Sequence, residues 1–476
     1  MITITRRQAL QLRAVFRRAL NMTRGPGPIL FLTTDQDGIR VRASTADAAV
    51  EYHATEESLP AEAMCVPFEL LSDVEARRDD PVQIEMLGDG RVLAGWRDSN
   101  VPQMVQYDPV ESKETAEFPA TPETLAQNPP RFLQALHDCM QTTDPHAGRY
   151  ATSCVQLRGK GGDMVATDGR EVLFQRGFEF PWEDEALLPR SRVFGSKELP
   201  HDEAVFIGKT DDWLTIRVGP WTFHAKIEKK KRFPDMDHHL PPVESAAASV
   251  RFSPEDARFL TKTLPKLPGD EDYNLPVTVD LNGSVAIRAK ASGQPNPTEA
   301  VLSNSTRSGE PMRIHTNRNY LSRAVKLGFD EVHLYSPSVP VLCQDEFRSY
   351  VWALLEPESA ISPTDDAIRI TSTPAEDRVS TTNQAPRRKK ATMAQSTSNG
   401  NGKAKTNGQA RAATTDKPDD QGVVALIEQA EAVKVSLRDS LTKTSELISA
   451  LKLHKKQSKA VRSALVSLRR LQAVDA

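Results

Sequence analysis

The run "DMDHHL", residues 235–240, holds Asp235, Asp237, His238 and His239, the densest group of possible metal ligands in the chain. Successive residues of one strand or loop project in different directions, so such a run does not by itself converge on one ion. Cys65, Cys139, Cys154 and Cys343 lie far apart with no CxxC pair, which reads as buried, reduced thiols rather than a zinc site or a disulfide frame. No GxSxG elbow, phosphate-binding glycine loop or dinucleotide fingerprint occurs. An enzyme is therefore not expected, and neither is a catalytic residue, a metal or a cofactor. Charge is more informative. Residues 1–34 contain six arginines and no acid. Arg6, Arg13 and Arg17, spaced by seven and four, fall on one stripe of a helix whose opposite stripe is Leu12, Phe16 and Ala19. Such a stripe could attract a polyanion without reading its sequence. A second feature is "MVATDGREVLFQRG", residues 164–177, which reads as strand, tight turn and strand.

The elements that position these residues repeat. Helical stretches "TRRQALQLRAVFRRAL", "PPRFLQALHDCMQ" and "SPEDARFLTKTL" begin at Thr5, Pro129 and Ser253, at equal intervals of 124 residues. Each is followed by strand–turn–strand text whose turns are Asp37-Gly38, Gly161-Gly162 and Asn282-Gly283. A second helix is expected in each block, near Pro67, Pro189 ("PRSRVFGSKEL") and Asn317, again followed by strands. The pattern predicts an α+β fold: three repeated domains near 1–120, 128–246 and 248–358, each built from two units of helix plus antiparallel sheet.

Beyond these blocks the text changes. Residues 359–421 are rich in Ser, Thr, Asn, Gly and Lys with few large apolar side chains, and read as a disordered linker. Residues 422–474 return to amphipathic, coiled-coil-like helical text, with Leu437, Leu441, Ile448 and Leu451 among the apolar positions. An isolated amphipathic helix buries nothing, so it calls for a partner, whose identity the sequence leaves open. The net charge of −3 divides into +8 from Ala360 onward and −11 before it. An acidic body makes the local placement of cations decisive for any nucleic-acid reading. The apolar runs are too short to cross a bilayer, and "MITITRRQAL" lacks the apolar core of a secretory signal, so a cytoplasmic protein with no membrane partner is expected.

The repeats resemble the bacterial sliding clamp family, the β subunit of DNA polymerase III. The likeness rests on "RYATSCVQLRGKGGDMVATDGREVLFQ" (149–175), "WTFHAKIEKKKRFPDMDHHLP" (221–241) and "IHTNRNYLSRAVKLGFDEVHLYSPSVPVLC" (314–343), and covers about 1–355. It implies a head-to-tail homodimer forming a ring around double-stranded DNA, bound without sequence preference. The ring would act as a processivity factor tethering polymerase and clamp-loader subunits in the nucleoid. DNA-facing residues would be Arg6, Arg13, Arg17, Arg24, Arg149 and Tyr150, with Arg190, Arg192, Lys197, Arg318, Arg323 and Lys326 as secondary candidates.

The resemblance also implies a pocket for a short linear peptide. Its walls would be Thr152, Thr167, Gly169, Arg170 and Val172; its floor Pro234, His238 and His239; its far side Ser338, Pro340, Val351 and Ala353. Several positions depart from the family pattern. Arg170 and Glu171 follow the turn glycine, the floor pair is His238-His239, and the last strand reads "VWALLEPES" and continues into the tail. A carboxylate at Glu171 and a small Ala353 predict weaker binding of the usual peptide. The alternative is a clamp-fold interaction or structural protein that has lost polymerase binding and acts through its C-terminal helix.

Overall fold

The computed structural model of the chain describes residues 1–374, apart from 24–25, 56–58, 111–117 and 271–273. The C-terminal helix expected at 422–474, and the linker beyond 374, lie outside the described residues. The fold is α+β and mostly strand.

Five α-helices are present among the described residues: α1 (Arg6–Ala19), α2 (Glu69–Val74), α3 (Arg131–Thr142), α4 (Pro254–Thr263) and α5 (Arg318–Lys326). The start of α1 is set by a capping box: Thr5 Oγ1 accepts from the Gln8 amide at 3.0 Å, and the Gln8 side chain accepts from the Thr5 amide at 2.7 Å. Ala9, Leu12, Val15, Phe16 and Ala19 are its buried face, the stripe read from the sequence. Ser253 caps α4 with proline in its first turn, and Asn317 caps α5. The sixth helix, expected from Pro189, is not formed. The chain leaves the strand Glu185–Pro189 through a series of turns. Ser191 Oγ accepts from the Val193 amide at 3.3 Å, a local bond that competes with a helix. Gly195 lies so close to His137 that a Cβ would come within 2.2 Å of the ring, so the backbone itself packs on α3.

Four sheets carry the blocks. Within a block each hairpin is antiparallel, and the blocks are joined by strand pairing. Ala48–Ala54 of the first block pairs antiparallel with Trp221–Lys226 of the second, continuing one sheet of eight strands. Glu171–Gln175 of the second block pairs antiparallel with Arg348–Trp352 of the third, continuing a sheet of nine. Large aromatics sit at both joints: Trp221 opposite Tyr52, with ring centroids 4.8 Å apart, and Trp352 opposite Glu171 beside the buried Tyr350. A sheet of four strands (Ile2–Thr5, Pro81–Met86, Val92–Asp98, Val101–Tyr107) ends the first block, and a sheet of five belongs to the third.

The sheet of five corrects the linker expected from residue 359. Its last strand is Ile368–Thr371, which pairs parallel with Thr298–Leu302; every other pairing among the described residues is antiparallel. "IRIT" alternates apolar and polar residues, the pattern of a half-covered strand, and Ile370 packs on the core.

The joint between the second and third blocks carries its own apolar cluster, distinct from the main core: Ala151, Cys154, Val165, Val172, Phe174, Phe233, Met236, Leu342 and Val351. Val351→Asp would place a carboxylate there without a partner. Stability to urea should fall by about 3 kcal/mol or more. A decrease below about 1 kcal/mol would show that this cluster does not hold the blocks together.

Candidate nucleic-acid and peptide interface

The arginines of α1 divide by what surrounds them. Arg6, placed on the DNA-facing stripe by the sequence, is buried: its Nε donates to the Val74 carbonyl at 2.9 Å and its Nη1 lies 3.6 Å from Asp98. It joins the two halves of the first block and faces no solvent. Arg13 is half-buried and paired with Glu75 at 2.6 Å. Arg7 is paired with Asp79 at 3.1 Å. Residues 1–34 lack acids, but the segment "EARRDD" at 75–80 supplies them in space, and that acidic run is the signal which could have revealed the pairing. Arg18 reaches the second block, donating to Ser196 Oγ at 2.6 Å and Glu198 at 2.8 Å. Arg17 is half-exposed, and its guanidinium makes no hydrogen bond or ion pair with any described residue. Arg24 lies outside the described residues.

The end of α1 adjoins the turns at 190–198 through Arg18 and through Asn21 Nδ2, which donates to the Arg190 carbonyl at 3.3 Å. Arg192 and Lys197 are exposed on those turns, on the same seam as Arg17. Arg149 and Tyr150 are exposed after α3, the guanidinium 5.3 Å from the ring centroid. On α5 only Lys326 is exposed among the cations. Arg318 is buried and donates to the carbonyls of Leu275, Leu264, Leu267 and Pro268, closing the loop after α4. Arg323 donates to the Asp138 carbonyl and Thr142 Oγ1 of α3, locking the second block to the third. Arg6, Arg318 and Arg323 are thus structural, because each guanidinium is spent on carbonyls or carboxylates within the fold. Of the DNA-facing candidates, Arg149, Arg192, Lys197 and Lys326 are exposed and Arg17 half-exposed.

The Thr-Asp-Gly-Arg turn is a docking element for the third block. Thr167 Oγ1 donates to the Glu171 carbonyl at 2.6 Å and accepts from the Gly169 amide at 2.9 Å, closing a turn in which Gly169 takes φ +90°. Asp168 accepts from Tyr320 Oη at 3.1 Å, and Arg170 donates to Asn274 at 3.1 Å. The turn is held by two helices' neighbourhoods before any ligand arrives.

Of the expected pocket residues, Thr167, Gly169, Arg170, Val172, Val351 and Ala353 come together at the joint: Val172 opposes Val351, and the Ala353 amide donates to the Arg170 carbonyl at 2.9 Å. Thr152 adjoins them beside Ala151, whose amide donates to the Arg232 carbonyl. Pro234 follows Phe233, which fills the apolar cluster with Met236. His238 and His239 are exposed on a short 3-10 turn, His238 being 3.4 Å from Asp235, and Ser338 and Pro340 lie in a turn before the strand Val341–Gln344. Among the described residues no group of three His, Cys, Asp or Glu side chains is arranged around a possible ion.

Glu171 corrects the sequence reading. It does not line the peptide side. Alternation along Glu171–Gln175 sends Val172 and Phe174 to the outer cluster and turns Glu171 inward, where Tyr350 donates to it and Arg323 lies 3.7 Å away. Burial pushes its carboxyl up to about 7, while Arg323 and the Tyr350 hydroxyl pull the other way and nearby Asp168 adds to the rise. The folded state therefore holds this proton more tightly than the unfolded chain, whose carboxyl titrates near the ordinary 4.5. Its contribution to stability is intact below pH 4.5 and is lost as pH rises through about 7. Glu171→Gln should remove that loss. The variant's advantage over the parent should grow across this window to at most about 3 kcal/mol. Denaturant titrations spanning the interval from the ordinary carboxyl value of 4.5 to above 7 test it, and parallel pH profiles for the two proteins would refute it.

The sequence matches no protein-family model and no curated protein. Its structure does find relatives. The DNA polymerase III subunit beta of Pseudomonas aeruginosa superposes with a TM-score of 0.61 at 17% identity, covering 75% of this chain and 99% of that one. The β subunit from the DNA polymerase of Streptococcus pyogenes gives 0.63 at 13%, covering 74% and 99%. A putative DNA polymerase III β subunit of Eubacterium rectale gives 0.59 at 13%, again covering 74% and 99%. No helix among the described residues is long and apolar enough to cross a membrane. Three blocks joined strand to strand, over the full length of each of these subunits, give this chain the fold of the DNA polymerase III β subunit sliding clamps.

Proposed function

We propose that this chain is a sliding-clamp-like processivity factor: two copies, each of three domains near 1–120, 128–246 and 248–358, close head to tail around duplex DNA and tether replication or repair proteins to it. One observation carries the reading. Both joints within the chain use equivalent strands in the same antiparallel sense, the outer strand of a block's first unit meeting the outer strand of the next block's second unit. Continued once more, the series asks Thr298–Leu302 to meet a strand equivalent to Val101–Tyr107, which a second copy provides. The protein binds by shape and charge, performs no chemistry, and works in the cytoplasm on the nucleoid. The exposed cations Arg17, Arg149, Arg192, Lys197 and Lys326 supply sequence-independent attraction to phosphates. An extended peptide of polymerase or clamp loader docks beside Val172 and Val351, where Glu171 does not intrude.

Binding of the full chain to a nicked circular plasmid, before and after the plasmid is cut once, tests the ring. Retention should be lost on cutting, because a topological link ends when the DNA has ends. Equal retention on both forms would refute encirclement. The paired substitution Arg17→Glu, Lys197→Glu should lower the slope of log affinity against log salt by about one unit for each phosphate that is no longer neutralised. An unchanged slope would remove this seam from the DNA-facing surface.

A further inference from the structure

The two strands that would meet in the next joint are in different states. Val101–Tyr107 is an open edge among the described residues, and its sheet carries exposed apolar side chains: Met104 is 71% exposed, Val101 56% and Met86 51%. An open edge of this kind pairs readily with another strand. Pro102 gives up one donor near its start and leaves 103–107 able to pair. The opposite edge, Thr298–Leu302, is already covered. The chain returns after the third block, is held by the Ile361 amide donating to Thr278 Oγ1 at 2.8 Å, and lays Ile368–Thr371 along that edge.

We propose that Ile368–Thr371 is a displaceable cover over the strand edge a second copy uses, so that the covered edge and the closed ring exclude each other. The inference rests on the ring reading above. The cover is specifically seated. The Ile368 amide donates to the Pro297 carbonyl at 2.9 Å and the Ser372 amide to the Val301 carbonyl at 3.0 Å. Arg369 meets Glu299 at 2.7 Å, and buried Ser372 accepts from the Ser303 amide at 2.8 Å. It is also replaceable. The cover is a short parallel strand with Ile368 58% exposed, whereas both joints inside the chain are antiparallel, the more stable sense per residue. Tethered a few residues from Ile361, it re-covers the edge at high effective concentration when the partner leaves. A two-copy ring has two such joints, so the open fraction enters squared. If each edge is open about one-tenth of the time, the cover weakens ring closure about a hundredfold.

The test uses the full chain. Ile370→Asp with Ser372→Tyr changes residues of the cover alone and breaks its contacts with the third block. Sedimentation velocity over a concentration series should show this variant dimerising at least about tenfold more tightly than the parent. A synthetic peptide of residues 366–374 should return it toward the parental value. A second variant, Ser303→Cys with Ser372→Cys, should stay monomeric when oxidised and regain parental dimerisation when reduced. Equal dimerisation of parent, released and oxidised forms would overturn the cover while leaving the ring intact. Monomers at every concentration, released variant included, would overturn the cover and the ring together.

Discussion

A strand at the end of a sheet leaves half of its backbone donors and acceptors without partners, and they must be met by solvent or by another strand. That constraint organises this chain. Each block is a pair of sheet units, all but the second unit of the middle block backed by an α-helix among the described residues, and each unit ends on a strand that its own block cannot satisfy. Ala48–Ala54 finds Trp221–Lys226, and Glu171–Gln175 finds Arg348–Trp352. The apolar layers follow the backbone: Trp221 and Tyr52 pack together where the first pairing is made, and Val172, Phe174 and Val351 cluster where the second is. What a clamp fold does with its remaining edges decides whether it is an arc or a ring. Among the described residues, Val101–Tyr107 has no partner on its outer side, and Thr298–Leu302 is lined by the returning strand Ile368–Thr371.

The same joints consume much of the positive charge. Arg18 spans the first and second blocks, Arg323 spans the second and third, and Arg6 and Arg318 are buried within their own blocks. A guanidinium suits this work because its planar fork can serve several oxygens at once, as Arg318 does with four carbonyls. The cost falls on the surface. With Arg7 and Arg13 neutralised by Asp79 and Glu75, the first helix offers less free positive charge than its sequence suggests.

The Thr-Asp-Gly-Arg turn shows how two uses share one hairpin. Its polar groups face the third block, with Asp168 on Tyr320 and Arg170 on Asn274, while Val172 faces outward beside Val351. The strand's two-residue period separates the duties, so the inward carboxyl of Glu171 bonds to Tyr350 without charging the outer surface.

The repeat, the helix starts and the hairpins were legible in the sequence because they depend on neighbours. Thr5, Ser253 and Asn317 cap helices within their own turn, and glycine at positions such as Gly169 is required by local φ alone. The buried stripe of α1 was legible for the same reason, being a helical period. The helix missed after Pro189 failed because serine bonds and the close approach of Gly195 to His137 outweigh a short apolar pattern. The fates of the arginines could not be read from spacing: Arg6, Arg13 and Arg17 share one stripe, but only folding brings Asp98 and Glu75 to the first two and no acid among the described residues to the third. Nor could the strand Ile368–Thr371 be placed, since four residues of alternating text acquire a partner only when Thr298–Leu302 offers an edge. Sequence settles what a residue's near neighbours dictate; tertiary structure alone settles which distant charge or strand edge arrives beside it, because that depends on closing loops of many tens of residues.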